Sequence, residues 1–205
     1  EREKLEWAIG SIIAGDSKDI QKFIVLYGDP GSGKSTFLKI VEKLFEGYWE
    51  PFDAKSLGSS RNDFALEAFK SNPLVAIQHD GDLSRIEDNT VLNSLVSHET
   101  MLVNVKFANK FKQRFNAFIF MGTNTPVKIT DAKSGILRRL IDVYPTGNKV
   151  PRRKYDKLIK NIDFELGAIA NHCLEVYNEL GYSYYDDYIP TRMLSATNDF
   201  YGFVE

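Results

Sequence analysis

Cysteine is almost missing from this chain. The single Cys173 among 205 residues cannot close an internal disulfide, which fits a reducing compartment, and its place on the apolar side of a helical pattern makes it a packed core thiol. Long apolar runs are missing as well: none approaches the roughly 20 residues that a membrane helix needs, and no leader pattern opens the chain. The expectation is a soluble, cytoplasmic protein without a membrane partner. An excess of one charge is also lacking, because 26 Lys and Arg against 28 Asp and Glu leave a net charge of −2. No global basic field advertises a nucleic-acid partner, so any such contact must be local. No second His or Cys lies at metal spacing from His79, which reads as a packed or hydrogen-bonded histidine. Internal repeats and low-complexity segments do not occur. What the chain does have is 43% apolar residues, enough to core one domain or a domain with a small appendage. It begins with Glu1 rather than Met and ends on Phe203-Val204-Glu205, which reads as a piece of a longer polypeptide.

Residues 23 to 36, FIVLYGDPGSGKST, organise the rest. An apolar run, Phe23 to Leu26, stops at Gly28, and Asp29, Pro30, Gly31, Ser32 and Gly33 lead into Lys34-Ser35-Thr36. This is G-x-x-x-x-G-K-[ST] with a strand before it and a helix after it. Gly28, Gly31 and Gly33 let backbone N–H groups turn inward around a phosphate, and the helix adds its positive end. Lys34 suits the β- and γ-phosphates, and the Ser35 hydroxyl suits Mg²⁺. The chain is therefore expected to bind a nucleoside triphosphate.

Helical spacing over residues 3–14 predicts an amphipathic helix closed by Gly15. Phe37, Leu38, Val41, Leu44 and Phe45 continue the helix after the phosphate loop to Gly47. Residues 50–60 read as a short strand and loop. Phe64, Ala65, Ala68 and Phe69 suggest a helix ending before Asn72-Pro73. Leu74 to Ile77 is the unbroken apolar run of a strand buried on both faces, and it ends in Gln78-His79-Asp80-Gly81-Asp82. Asp80 is placed to hold magnesium through water, and Asp82 is the weaker candidate for polarising the attacking water. Residues 88–97 predict a short helix capped by Asp88 or Asn89.

Between Lys106 and Phe115, four cations (Lys106, Lys110, Lys112, Arg114) alternate with Phe107, Phe111 and Phe115, and no acid interrupts them. Such interleaving suits a nucleic-acid backbone, with charge for phosphates and rings for stacking; a basic hairpin with its phenylalanines in the core is the plainer alternative. Asn116 to Met121 predicts another buried strand, whose tip offers Asn124 to the attacking water and the γ-phosphate. Arg138-Arg139, just before the apolar Leu140 to Val143, suit delivery of an arginine to the γ-phosphate of a neighbouring subunit; a surface salt-bridge pair is the plainer alternative. Beyond Gly147, residues 154–162 and 165–180 predict two helices, and a last one follows around 192–203. The tyrosines at 182, 184, 185 and 188 read as a packed lid rather than a base-binding cluster.

On these residues the chain resembles the superfamily 3 helicases, in particular the helicase domain of phage and plasmid primase-helicases related to the poxvirus primase-helicase. GDPGSGKST resembles motif A, the apolar run into Asp80 motif B, the basic stretch from Lys106 to Arg114 the DNA-contacting B′ hairpin, and MGTNTP with Asn124 motif C. Arg138-Arg139 resembles the arginine finger, with Arg139 the preferred residue and Arg138 its support. Phe164 to Ile169 resembles the opening of the family's helical tail. Many relatives place their acids directly at the end of the motif B strand, whereas here Gly81 separates Asp80 from Asp82, so the division of labour between the two stays open. The resemblance implies an α/β P-loop NTPase of AAA+ type: a central parallel five-stranded sheet flanked by helices, with a small C-terminal helical appendage. It implies residues 1–20 as a helix packed on the core, 21–150 as the ATPase core and 151–205 as the helical segment. It further implies ATP and Mg²⁺ as cofactors, ATP sites at subunit interfaces, a homo-hexameric ring on single-stranded DNA, 3′ to 5′ movement, an upstream primase domain and, for a phage protein, the host cytoplasm. A small-molecule phosphotransferase and an ATP-switched initiator or loader are the rival readings.

Overall fold

The computed structural model describes residues 1–58, 65–81, 89–105, 109–127 and 135–197. Along the chain run α1 (Arg2–Ala14), α2 (Ser17–Ile20), β1 (Phe23–Tyr27), α3 (Lys34–Leu44), β2 (Trp49–Pro51), α4 (Ala54–Leu57), β3 (Val75–Gln78), α5 (Thr90–Val96), β4 (Thr100–Val103), β5 (Phe111–Arg114), β6 (Phe118–Thr123), β7 (Leu140–Val143), α6 (Arg152–Leu180) and α7 (Thr191–Thr197). Five strands form one parallel sheet in the spatial order β2-β3-β6-β1-β7, and β4 and β5 make a separate antiparallel pair. This is the helix-flanked parallel sheet that the resemblance implies.

Alternation along the strands splits the core in two. Phe23, Val25, Ala76, Ile119, Met121 and Leu140 face one layer, where α5, Phe69 and Phe115 cover them. Ile24, Leu26, Val75, Ile77, Phe118, Phe120, Ile141 and Val143 face the other, against α1, α3 and the end of α6. Both faces are covered, which is why the strands read as unbroken apolar runs.

Gly15, in the left-handed region at φ 82°, ends α1, and the Gly15 and Asp16 N–H groups bond back to Ile12 and Ser11. Inside α1, Gly10 lets α6 approach: a Cβ there would sit 2.1 Å from the Cys173 carbonyl oxygen and 2.6 Å from the Tyr177 Cβ. Cys173 is buried as expected, and burial pushes its thiol up to about 11.

Four expectations change. The segment read as a short strand and loop over 50–60 also holds α4, whose N-cap Asp53 accepts from the Lys55 N–H. The two helices predicted over 154–162 and 165–180 are one 29-residue helix, because nothing between Asn161 and Glu165 lacks an N–H or requires left-handed backbone. The helix predicted around Phe64 to Phe69 is, within the described residues, a single 3₁₀ turn, Glu67–Phe69, which seats Phe69 against Phe52 and Phe115. Of the two proposed caps for α5, Asp88 lies outside the described residues, and Asn89 occupies the N-cap position without a side-chain capping bond. The tyrosine cluster packs in part: Tyr185 lies edge-on to Trp7 at 5.0 Å and donates to Glu3, and Tyr188 donates to Asp142, whereas Tyr182 and Tyr184 are exposed. No helix among the described residues is long and apolar enough to cross a membrane.

Candidate functional site

The register of the sheet assembles the site. Tyr27 of β1 lies beside Thr123 of β6, and Gln78 of β3 beside Met121, so Gly28, Asn124 and Asp80 emerge from neighbouring strand ends at one edge. The loop after β1 turns through Gly31 (φ 79°) and Gly33 (φ 98°), and α3 starts directly on Lys34. Gly28 contributes differently, since its φ is ordinary. A Cβ there would press on the Ser32 hydroxyl at 3.3 Å and touch the Pro145 ring at 3.5 Å.

Lys34 points into this cradle, 6% exposed. Its Nζ donates to the carbonyl oxygens of Gly28 (2.6 Å) and Asp29 (2.9 Å) and to Oδ1 of Asn124 (2.7 Å). Nδ2 of Asn124 in turn reaches Oδ1 of Asp80 at 3.4 Å. Burial lowers the Lys34 pKa, while the carboxylates of Asp80 and Asp29 act in the opposite sense. Ser35, Asp29, Pro30 and Asp80 are exposed, so the Ser35 hydroxyl and the Asp80 carboxylate are free of the core. Asp82 lies outside the described residues. His79 behaves as an internal partner, with Nε2 2.5 Å from Glu42 Oε1.

Two further glycines, near the ends of β3 and β6, hold these strand tips together. A Cβ on Gly122 would lie 2.6 Å from the His79 carbonyl oxygen, and one on Gly81 would lie 2.5 Å from the Met121 sulfur. The Gly81 N–H also bonds the Gly122 carbonyl at 2.7 Å. Beside the loop opens a cleft of about 620 Å³ that Phe37, Ile40, Val150 and Tyr155 wall with apolar surface, and the Tyr155 hydroxyl lies 3.2 Å from that of Thr36. Tyr155 is 119 residues from Thr36 in the chain, and no local spacing could announce it.

The two arginines part ways. Arg139 is buried and points inward, donating from Nε and Nη2 to the Ser97 hydroxyl (3.0 and 2.5 Å) and from Nη1 to the Gly135 carbonyl (2.7 Å). Arg138 is exposed. Both precede β7, whose Leu140 lies beside Phe23 at the start of β1. With about 3.3 Å per strand residue, the five residues of β1 put the pair about 16 Å from the phosphate loop of the same chain.

The end of the basic stretch, Phe111–Arg114, forms β5 of the β4–β5 pair, with Leu102 opposite Lys112 and Thr100 opposite Arg114. Lys110, Lys112 and Arg114 are all exposed and alternate onto one face. Of the phenylalanines, Phe115 is in the core and Phe111 is 39% exposed; Lys106 and Phe107 lie outside the described residues. No group of three or more potential metal-ligating side chains occurs among the described residues.

A family model described as a family of unknown function, DUF5906, matches residues 26–139, more than half of the chain. Among solved structures, an apo structure of the NrS-1 C-terminal region superposes with a TM-score of 0.62 at 15% identity, covering 96% of this chain and 47% of that one. The A form of that region gives 0.60 at 14% identity, with 87% and 47% covered. This chain thus spans about half the length of the NrS-1 chains it matches. A JCV helicase structure with a bound small molecule aligns at a TM-score of only 0.40 and 14% identity, covering 100% of this chain and 59% of that one. The NrS-1 likeness is one of fold: an α/β domain built on a helix-flanked parallel sheet.

Proposed function

Because the chain belongs to DUF5906, a family whose description assigns no activity, we propose from the site itself that it is the ATP-hydrolysing motor of a DNA helicase. The observation that carries this reading is the chain of contacts from Lys34 through Asn124 to Asp80, 2.7 and 3.4 Å long. It links the phosphate loop to the two strand tips where triphosphate hydrolysis needs a metal-holding acid and a polar group for the water. A nucleotide that presents its phosphates to the loop takes the Lys34 ammonium in place of the Gly28 and Asp29 carbonyls. Asn124 then has one amide face for the γ-phosphate and the other for the attacking water, with Asp80 holding its orientation. Ser35 and Asp80 offer the oxygen donors that Mg²⁺ prefers, and the ion neutralises charge on the β- and γ-oxygens when bound. The cleft beside Phe37, Ile40, Val150 and Tyr155 takes the base and sugar.

Arg138 replaces Arg139 as the preferred finger, since it is the exposed one of the pair, and its distance from its own phosphate loop suits service to an adjoining copy. Lys110, Lys112 and Arg114 form the surface for the DNA backbone. The ring of six, 3′ to 5′ movement and an upstream primase domain come with the resemblance and belong to this proposal.

The test is ATP hydrolysis with and without single-stranded DNA. Changing Lys106, Lys110 and Lys112 to Ala should bring the ratio of DNA-stimulated to basal rate toward one. A chain that hydrolyses ATP at every protein concentration without any response to DNA is not a motor on DNA.

A further inference from the structure

Residues 149–160, KVPRRKYDKLIK, carry six cations and one acid in a chain of net charge −2. They lead into α6 and form its first turns, where Arg152, Arg153, Lys154, Lys157 and Lys160 are all exposed. The placement is locally unfavourable. Cations in a first turn oppose the positive end of the helix dipole, and no acidic residue in that turn compensates. Among the described residues none of the five forms an ion pair. On the same half of the helix Leu158 is 49% and Phe164 90% exposed. A local rule broken without compensation inside the domain marks a surface that serves something outside it. This half of α6 is also held beside the phosphate loop, through Tyr155 on Thr36 and the 2.5 Å pair between Lys43 and Asp163.

The opposite end of the domain carries the opposite sign. Asp19, Asp186 and Asp187 are exposed there, and a recess of about 220 Å³ lies between Asp19, Lys22, Arg138 and Asp186. The buried Lys22 ammonium donates to the carbonyl oxygens of both Arg138 (2.6 Å) and Asp186 (3.1 Å). Arg138 and the acidic turn are therefore one fixed patch.

We infer that the basic first half of α6 in one copy docks on the acidic patch around Arg138 of the next, and that this contact delivers Arg138 to the phosphate loop beside that helix. Charge complementarity supports the pairing: the basic helix finds its opposite sign on the acidic patch, and repeated head-to-tail this contact makes a ring where the rotation closes. The inference deepens the motor reading and rests on Arg138 acting on a neighbouring copy.

The experiment is sedimentation of the full chain with Mg²⁺ and a non-hydrolysable ATP analogue, alongside direct binding of a fluorescent nucleotide. The Arg153→Glu/Lys157→Glu variant and the Asp186→Lys/Asp187→Lys variant should each raise the concentration needed for assembly by about tenfold or more, because like charges then meet at the seam. The variant carrying all four changes should recover most of that loss, and assembly of the unmodified chain should weaken with salt. Nucleotide affinity of the unassembled protein should stay constant throughout, which separates failure of the seam from failure of the phosphate loop. The inference is overturned by assembly that ignores the α6 reversals, by a four-change variant that regains nothing, or by a chain that binds nucleotide yet stays monomeric. It is equally overturned if the α6 reversals lower affinity for single-stranded DNA and leave assembly intact, which would make the helix a nucleic-acid surface.

Discussion

Nζ of Lys34 and Oδ1 of Asn124 lie 2.7 Å apart although 90 residues separate them in the chain. The contact exists because β1 and β6 are neighbours in register, and it makes one polar unit of two motifs on different strands. A charge-assisted hydrogen bond of this length fixes both side chains more firmly than either loop could alone.

Asn124→Ala should therefore act on turnover more than on binding. The loss of one positioned polar group at the reacting phosphate is expected to cost about 10²-fold in kcat, with KM for ATP changing far less. Steady-state kinetics check this. An unchanged kcat would remove Asn124 from the site.

Arg138 and Arg139 should separate by phenotype. Arg139→Ala deletes a buried guanidinium bonded to Ser97 and Gly135 and should lower unfolding free energy by about 1–3 kcal/mol. Arg138→Ala should leave the urea midpoint where it is and slow hydrolysis. Mixing Arg138→Ala protein with Lys34→Ala protein should restore part of the activity, since each supplies what the other lacks at a shared seam. No recovery at any mixing ratio counts against a finger acting between copies.

Gly10→Ala should loosen the pairing of α1 with α6. The new methyl group would meet the Cys173 carbonyl oxygen at 2.1 Å, so the helices must separate, at a cost of about 1–3 kcal/mol or more. Urea denaturation gives the value, and a stability equal to that of the unmodified chain would show that the two helices do not meet as described.

His98 makes the fold sensitive to acid. Its ring is buried between the carbonyl oxygens of Phe115 (2.7 Å) and Ser17 (2.9 Å). Burial lowers its pKa from 6.5, against the pull of the two carbonyls; Arg114 lowers it further and Asp19 opposes. A depressed folded-state pKa means that the unfolded chain takes up the proton more readily. The contribution of His98 is thus full above pH 6.5 and is lost as pH falls below it. Denaturation at about pH 7.5 and pH 5.5 should show the drop, and His98→Gln should flatten that part of the profile.

Several elements were legible in the chain because their signals are local. Glycine spacing from Gly28 to Gly33 dictates the phosphate loop, and Gly15 stops α1 where the periodicity ends. Apolar runs such as Phe23 to Leu26 read as buried strands because both faces of the sheet are covered. The continuity of α6 is not legible locally: Asn161 to Phe164 resembles a break in pattern, because this half of the helix is largely exposed and so shows no apolar periodicity to follow.

By itself the sequence determined where the glycine-rich loop lies, which segments are strands, and which polar residues end them, since each depends on neighbours a few residues away. Only the tertiary structure decided that Asp80 and Asn124 meet at Lys34, and that Arg139 turns inward to Ser97 while Arg138 faces outward. The reason is that parallel strand pairing is non-local: the register of β3, β6, β1 and β7 sets which side chains share an edge, and adjacent residues carry no mark of the face they will take.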